Sequence, residues 1–152
     1  MGPNQRRVSA IHENGTAETV LASDYLFAEL IADSDGVHVP KELLIIAYRC
    51  LGDRCILISD AVSTSEDGPD VNYNVRGELS GPLLSVSKAV CNMKKHTGIS
   101  WPEAVRLGSL NPANLLGIDS IIGSIQPGKK ANIVIMDDKA NIHSVFSEGR
   151  RV

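Results

Sequence analysis

What the sequence lacks narrows its chemistry first. Its three cysteines, Cys50, Cys55 and Cys91, form no C-x-x-C pair and cannot all be joined, so neither a disulfide framework nor a thiolate zinc site is expected. No two of the four histidines stand in H-x-H or H-E-x-x-H spacing, and no self-contained metal motif is present. No apolar run approaches the roughly 20 residues of a membrane span, and the N-terminus MGPNQRRVSA has no hydrophobic signal core, so neither insertion nor export is expected. Lys and Arg are scattered through a chain of net charge -3, which leaves no electrostatic footprint for nucleic acid or an anionic membrane. These absences point to a small ligand and to a reducing, cytoplasmic compartment. The 152 residues, 43% of them hydrophobic, are enough for one domain with a core of its own.

The chain changes character three times. Residues 1–24 are mostly polar and carry Gly2, Pro3, Asn14 and Gly15 without a stable apolar period, which predicts an irregular lead-in. From Tyr25 the run YLFAELIAD predicts a buried strand whose C-terminal end gathers Asp33, Asp35, Gly36 and His38. Pro40 opens KELLIIAYRCLG, where Leu43, Leu44, Ala47 and Leu51 recur at helical spacing before Gly52. CILISDA predicts a second buried strand, finishing on Asp60 before the polar loop STSEDGPDVNYN. Strand, helix and strand in this order make a βαβ unit with parallel strands, and His38 and Asp60 would then share one crevice at the strands' C-terminal ends. Beyond the loop, GPLLSVSKAVCNMKKHTG predicts a helix with Leu83, Val86, Val90 and Met93 on one stripe. SWPEAVRLGSL starts with a capping box, Ser100 and Glu103, and Pro112 predicts a break after Leu110 and Asn111, so that PANLLG forms its own short helix. Residues 121–152 alternate short β-type runs with Gly and Pro turns and predict a small antiparallel addition.

Five segments, AELIADSDGVHV, LISDA, GELSGPLLSVSKAV, SLNPANLLGI and GSIQPGKKANIVIMD, stand in an order that resembles the N-acetylglucosamine-6-phosphate deacetylases of the amidohydrolase superfamily. The resemblance runs from Tyr25 to Val152. It implies an α/β fold in which residues 25–120 are the last two strands and helices of an eight-stranded β/α barrel and residues 121–152 are the C-terminal share of a small β-sandwich. It also implies metal-dependent hydrolysis of an acetamide on a phosphorylated amino sugar, in amino-sugar catabolism.

For Asp60 the resemblance implies the general base and acid, which takes a proton from a metal-bound water and delivers one to the departing amine. That division of labour suits amide hydrolysis, since a carboxylate can shuttle a proton that a resistant amide needs moved. The plainer reading of Asp60 is a strand-end cap accepting loop amides. His38 matches the family histidine that contacts the substrate near the reacting amide, where a neutral imidazole could donate to an oxyanion or a sugar oxygen. The plainer reading is a loop histidine, and Ser34 and Asp35 stand as a two-residue insertion in the family pattern A-D-G-x-H-V. Arg7 is the best match to the arginine that grips the sugar phosphate, against a solvated basic pair with Arg6. Leu79 falls in the loop that closes over the substrate, against ordinary packing, with Pro82 where the family has serine. His12, His96 and His143 read as surface or capping residues.

The family holds its divalent metal, zinc or iron, through a glutamate and two histidines upstream of the matched segment, and residues 1–24 contain no replacement. The loop after Asp60 is also shorter than the family's. The expectation is therefore a truncated deacetylase that binds no metal alone and is inactive alone. Two strands of a barrel with unpaired edges should self-associate, so a homo-oligomer is expected. The competing readings are a non-catalytic dimerising module derived from an amidohydrolase and an amidohydrolase of another substrate.

Overall fold

The computed structural model describes residues 15–62 and 69–152. Within them β1 (Ala28–Leu30) and β2 (Cys55–Leu57) pair in parallel, with Ala28 opposite Cys55 and Leu30 opposite Leu57. Parallel neighbours cannot be joined by a tight turn, and α2 (Lys41–Leu51) makes the crossover. Its first turn is set by Pro40, whose carbonyl accepts from the N–H groups of Leu43 and Leu44 at 2.9 and 3.0 Å. Leu44, Ala47 and Leu51 are its buried residues. This is the βαβ unit that the sequence predicts.

Two elements differ from expectation on its flanks. α1 (Thr16–Ala22) replaces an irregular lead-in over those residues. Ala17, Glu18, Leu21 and Ala22 are good helix formers, and Val20 and Leu21 pack against the core. Arg54 ties the exit of α1 to the end of α2 by donating to the carbonyls of Ser23 and Leu26. The second difference is a hairpin of β3 (Val71–Tyr73) and β4 (Leu79–Pro82), where the sequence predicts a loop running into a helix. Asn74 closes it, its side-chain oxygen accepting from the N–H groups of Arg76 and Glu78 at 2.9 and 3.0 Å.

The next helix, α3 (Val86–Thr97), consequently starts later than predicted. Ser85 caps it by accepting from the Lys88 N–H, so Leu83 and Leu84 precede the helix. Its buried face is Ala89, Val90 and Met93, and Val86 faces outward. α4 (Trp101–Leu107) begins with the predicted capping box, the Ser100 N–H donating to Glu103 Oε2 at 2.7 Å. α5 (Leu110–Leu115) is a separate short helix, as expected, but the break falls at Gly108 and Ser109. Pro112 sits inside its first turn, where a missing N–H costs nothing. β5 (Ile133–Met136), β6 (Ile142–Ser147) and β7 (Arg150–Arg151) then form one antiparallel sheet.

Side chains from β1, α2, β2, α3 and α4 meet in a single core, with Leu44, Leu84 and Met93 fully enclosed. Asn111 anchors α5 to this layer by donating to the Cys55 carbonyl at 2.9 Å. Burial pushes the Cys55 thiol up to about 12, so this cysteine is packing material rather than a nucleophile. Among the described residues no helix is long and apolar enough to cross a membrane.

Candidate active site

Because β1 and β2 are parallel, their C-terminal ends lie on one edge of the pair, and the chain leaves that edge twice. The first exit is the loop from Ala32 to Val39. Asp33 is fully buried there and organises the loop with both carboxylate oxygens. Oδ1 accepts from the N–H groups of Asp35 and Val37 at 3.1 and 2.9 Å. Oδ2 accepts from the His38 N–H at 2.8 Å and lies 3.1 Å from His38 Nδ1. His38 itself is buried. Gly36 makes the tight return possible: its φ is +69°, and a Cβ there would sit 3.2 Å from the Lys41 nitrogen.

Other elements clamp the same loop. Asp70 accepts from the Ser34 N–H at 3.0 Å and from Asn92 of α3 at 2.9 Å. Asn92 also donates to the Ala32 carbonyl, and His96, in the last turn of α3, to that of Asp33. The inserted Ser34 and Asp35 are thereby absorbed, each N–H finding a carboxylate.

The second exit carries Asp60, three residues beyond β2. It is exposed, and its φ is +44°, a left-handed conformation that a non-glycine residue holds at a cost of about 1–3 kcal/mol. Among the described residues its carboxylate makes no hydrogen bond or ion pair, and the loop amides that a strand-end cap would engage lie outside the described residues. Two residues on, the Val62 N–H donates to the Pro82 carbonyl at 3.0 Å, and Gly81, at φ +102°, lets β4 approach Val62. That contact tethers the strand bearing Leu79 to the Asp60 loop. Leu79 is half-buried at the far end of β4, opposite Tyr73.

His38, Asp60 and the strand of Leu79 thus border one edge. Arg7 and His12 lie outside the described residues. His143 is exposed on β6, 3.9 Å from Asp137. A separate depression, lined by Tyr48, Asp53, Glu103, Arg106 and Leu107, lies at the opposite end, where α2 feeds into β2. It is closed by a 2.9 Å Arg106–Asp53 ion pair and by Tyr48 donating to Glu103 at 3.1 Å, contacts that serve packing. Sequence reasoning missed the roles of Asp33, Asp70, Asn92 and His96. Only Asp33 left a local signal, the Asp-x-Asp-Gly spacing of an Asx turn. Among the described residues no group of three His, Cys, Asp or Glu side chains could hold a metal ion.

Burial alone would raise the Asp33 carboxyl, but the hydrogen bonds from His38, Val37 and Asp35 outweigh it and hold it below the ordinary value. A depressed carboxyl contributes stability that is complete above its unfolded value, near ~4, and is lost as pH falls through the lower folded value. Guanidinium unfolding between neutral and acid pH should therefore show the wild type losing more stability on acidification than Asp33→Asn, which has no carboxyl to protonate. Equal acid losses would contradict the assignment.

The comparisons with known proteins agree with this geometry. A protein of Escherichia coli K12, provisionally named an N-acetylgalactosamine-6-phosphate deacetylase, is 33% identical over 91% of this chain and 90% of its own length. The N-acetylgalactosamine-6-phosphate deacetylase of Escherichia coli O157:H7 is also 33% identical over 91% of this chain, which spans 40% of that longer protein. The crystal structure of N-acetylglucosamine-6-phosphate deacetylase from Thermotoga maritima superposes with a TM-score of 0.78 at 29% identity, over 93% of this chain and 42% of that one. The amidohydrolase family model matches residues 9–152, taking in both loops, the helices between them and the closing sheet, so the chain belongs to the amidohydrolase family.

Proposed function

We propose that this chain is the C-terminal share of a deacetylase for 2-acetamido sugar 6-phosphates, contributing the last two strands of its β/α barrel, the proton-transfer residue and part of the substrate edge. The observation that carries the reading is Asp60: an exposed carboxylate at a strand's C-terminal end, held in a left-handed backbone conformation and without a hydrogen bond or ion pair among the described residues. Backbone strain of this kind collects at functional sites. In this reading Asp60 takes a proton from the attacking water and returns it to the departing amine nitrogen, so that acetate and the free amino sugar leave in balance. His38 contacts the substrate, Leu79 lies in the covering strand, and Arg7 grips the phosphate.

Amidohydrolases generally use a divalent metal, zinc or iron in this reading. The described residues do not fit one by themselves: Asp60 stands alone and His38 Nδ1 is engaged by Asp33. Its ligands belong to the portion of the longer relatives that this chain does not span, and no step assigned to these residues runs through it.

Two features favour association with a partner surface, including a second copy. Val134 and Ile135 point to opposite faces of β5 yet are 52% and 49% exposed. Leu116 and Ile125 are exposed as well. The free cysteines fit a reducing, cytoplasmic compartment.

Acetate release tests the proposal. The 152-residue chain alone should release none from N-acetylgalactosamine-6-phosphate or N-acetylglucosamine-6-phosphate. A chimera carrying the upstream portion of the Escherichia coli O157:H7 relative should release it. Turnover by the chain alone refutes the division of the site, and a folded, metal-loaded chimera inactive on both sugars refutes the deacetylase reading.

A further inference from the structure

Asp33 collects four donors on one carboxylate: the N–H groups of Asp35, Val37 and His38, and the His38 ring at Nδ1. An ionised carboxylate can only accept, and its two oxygens offer about four lone-pair sites. The backbone fixes three of the four as N–H donors, and a protonated Asp33 would have to turn one oxygen into a donor against them. The 3.1 Å contact to Nδ1 is therefore a hydrogen bond only if the imidazole carries its proton there.

We infer that Asp33 is a positioning residue for His38, one that fixes the ring's orientation and places a proton on Nδ1, so that Nε2 is an acceptor in the neutral ring and a donor only in the imidazolium. The inference rests on the reading of His38 as a substrate contact. It changes what that contact can be. A neutral imidazole held this way cannot donate to an oxyanion or a sugar oxygen, the contact that the sequence alone suggested. It accepts from a substrate hydroxyl, and it donates to a carbonyl or phosphoryl oxygen only as the imidazolium, with Asp33 as its counter-ion.

The fold supplies an internal control. Asp70 holds the same loop through the Ser34 N–H and Asn92, and among the described residues it makes no hydrogen bond to the His38 ring. Loosening the loop and releasing the ring's proton are thus separable.

Long-range proton–nitrogen correlations on the full chain labelled with nitrogen-15 histidine, assigned by loss of the signal in His38→Gln, read which ring nitrogen is protonated. At a pH where the ring is neutral, wild-type His38 should carry its proton on Nδ1. In Asp33→Asn the carboxamide has one acceptor oxygen in place of two, and the proton should move wholly or partly to Nε2. In Asp70→Asn it should stay on Nδ1. Wild-type protonation at Nε2 overturns the inference, as does a shift in Asp70→Asn equal to that in Asp33→Asn. If Asp33→Asn does not fold, the wild-type and Asp70→Asn spectra still decide. None of these readouts needs turnover, so failure here is distinct from failure of the deacetylase reading, which the acetate assay tests.

Discussion

Asp60→Asn is expected to lower acetate release by about 10²–10⁴-fold in an assembled, active enzyme, the range a positioned general acid and base supplies. The substitution is nearly isosteric, so KM should change little, and the loss should fall on kcat because the missing interaction is a proton transfer made only on the way to the transition state. Folding stability should be unchanged. Asn tolerates left-handed backbone at least as well as Asp, and among the described residues the Asp60 carboxylate makes no hydrogen bond whose loss would be felt. Parallel kinetics and thermal unfolding check all three expectations. An active, stable Asp60→Asn enzyme removes Asp60 from the chemistry, and a destabilised one returns it to the role of a loop cap.

Leu44→Ala should cost about 2–5 kcal/mol, a large part of the 5–15 kcal/mol that holds a typical domain. Leu44 is fully enclosed between the strands and α3, and truncating it leaves a cavity that α2 cannot collapse without moving Ala47 and Leu51 as well. Ile46, two residues along the same helix, is half exposed and serves as the contrast. Ile46→Ala should cost less than about 1 kcal/mol. Denaturant titration of the two variants measures the difference. Equal costs would mean that the helix presents a different face to the core.

What could be read from the sequence follows from how far each signal reaches along the chain. The βαβ unit was legible because its strands are continuous apolar runs closed by Asp, Gly and Pro, and because Leu44, Ala47 and Leu51 recur at the helical period. The capping box at Ser100 was legible for the same reason, being written within four residues. β3 and β4 were not: Val71–Tyr73 is too short to show alternation, and Leu79–Pro82 contains Gly81 and Pro82, which usually mark turns. α1 holds only two full turns and shows no apolar period of its own. In the candidate site, the positions of His38 and Asp60 at one strand edge could be anticipated from the parallel order. The contacts that fix His38's loop could not, since Asp70 lies 36 residues from Ser34, and Asn92 lies 60 from Ala32. Such pairs leave no periodic trace.

The pairing of β1 with β2 also orders events in time. The hairpins β3–β4 and β5–β6 join neighbours through a few residues and can zip within about 1–10 μs once made. Among the described residues β1 pairs with β2, which arrives only with Cys55–Leu57, and closing that longer loop carries an entropic cost that α2 must first shorten by coiling. A nascent chain would therefore leave open, throughout synthesis of α2, the backbone edge of β1 that β2 later covers, and that helix, by folding early, limits the interval in which another chain could take the place of β2.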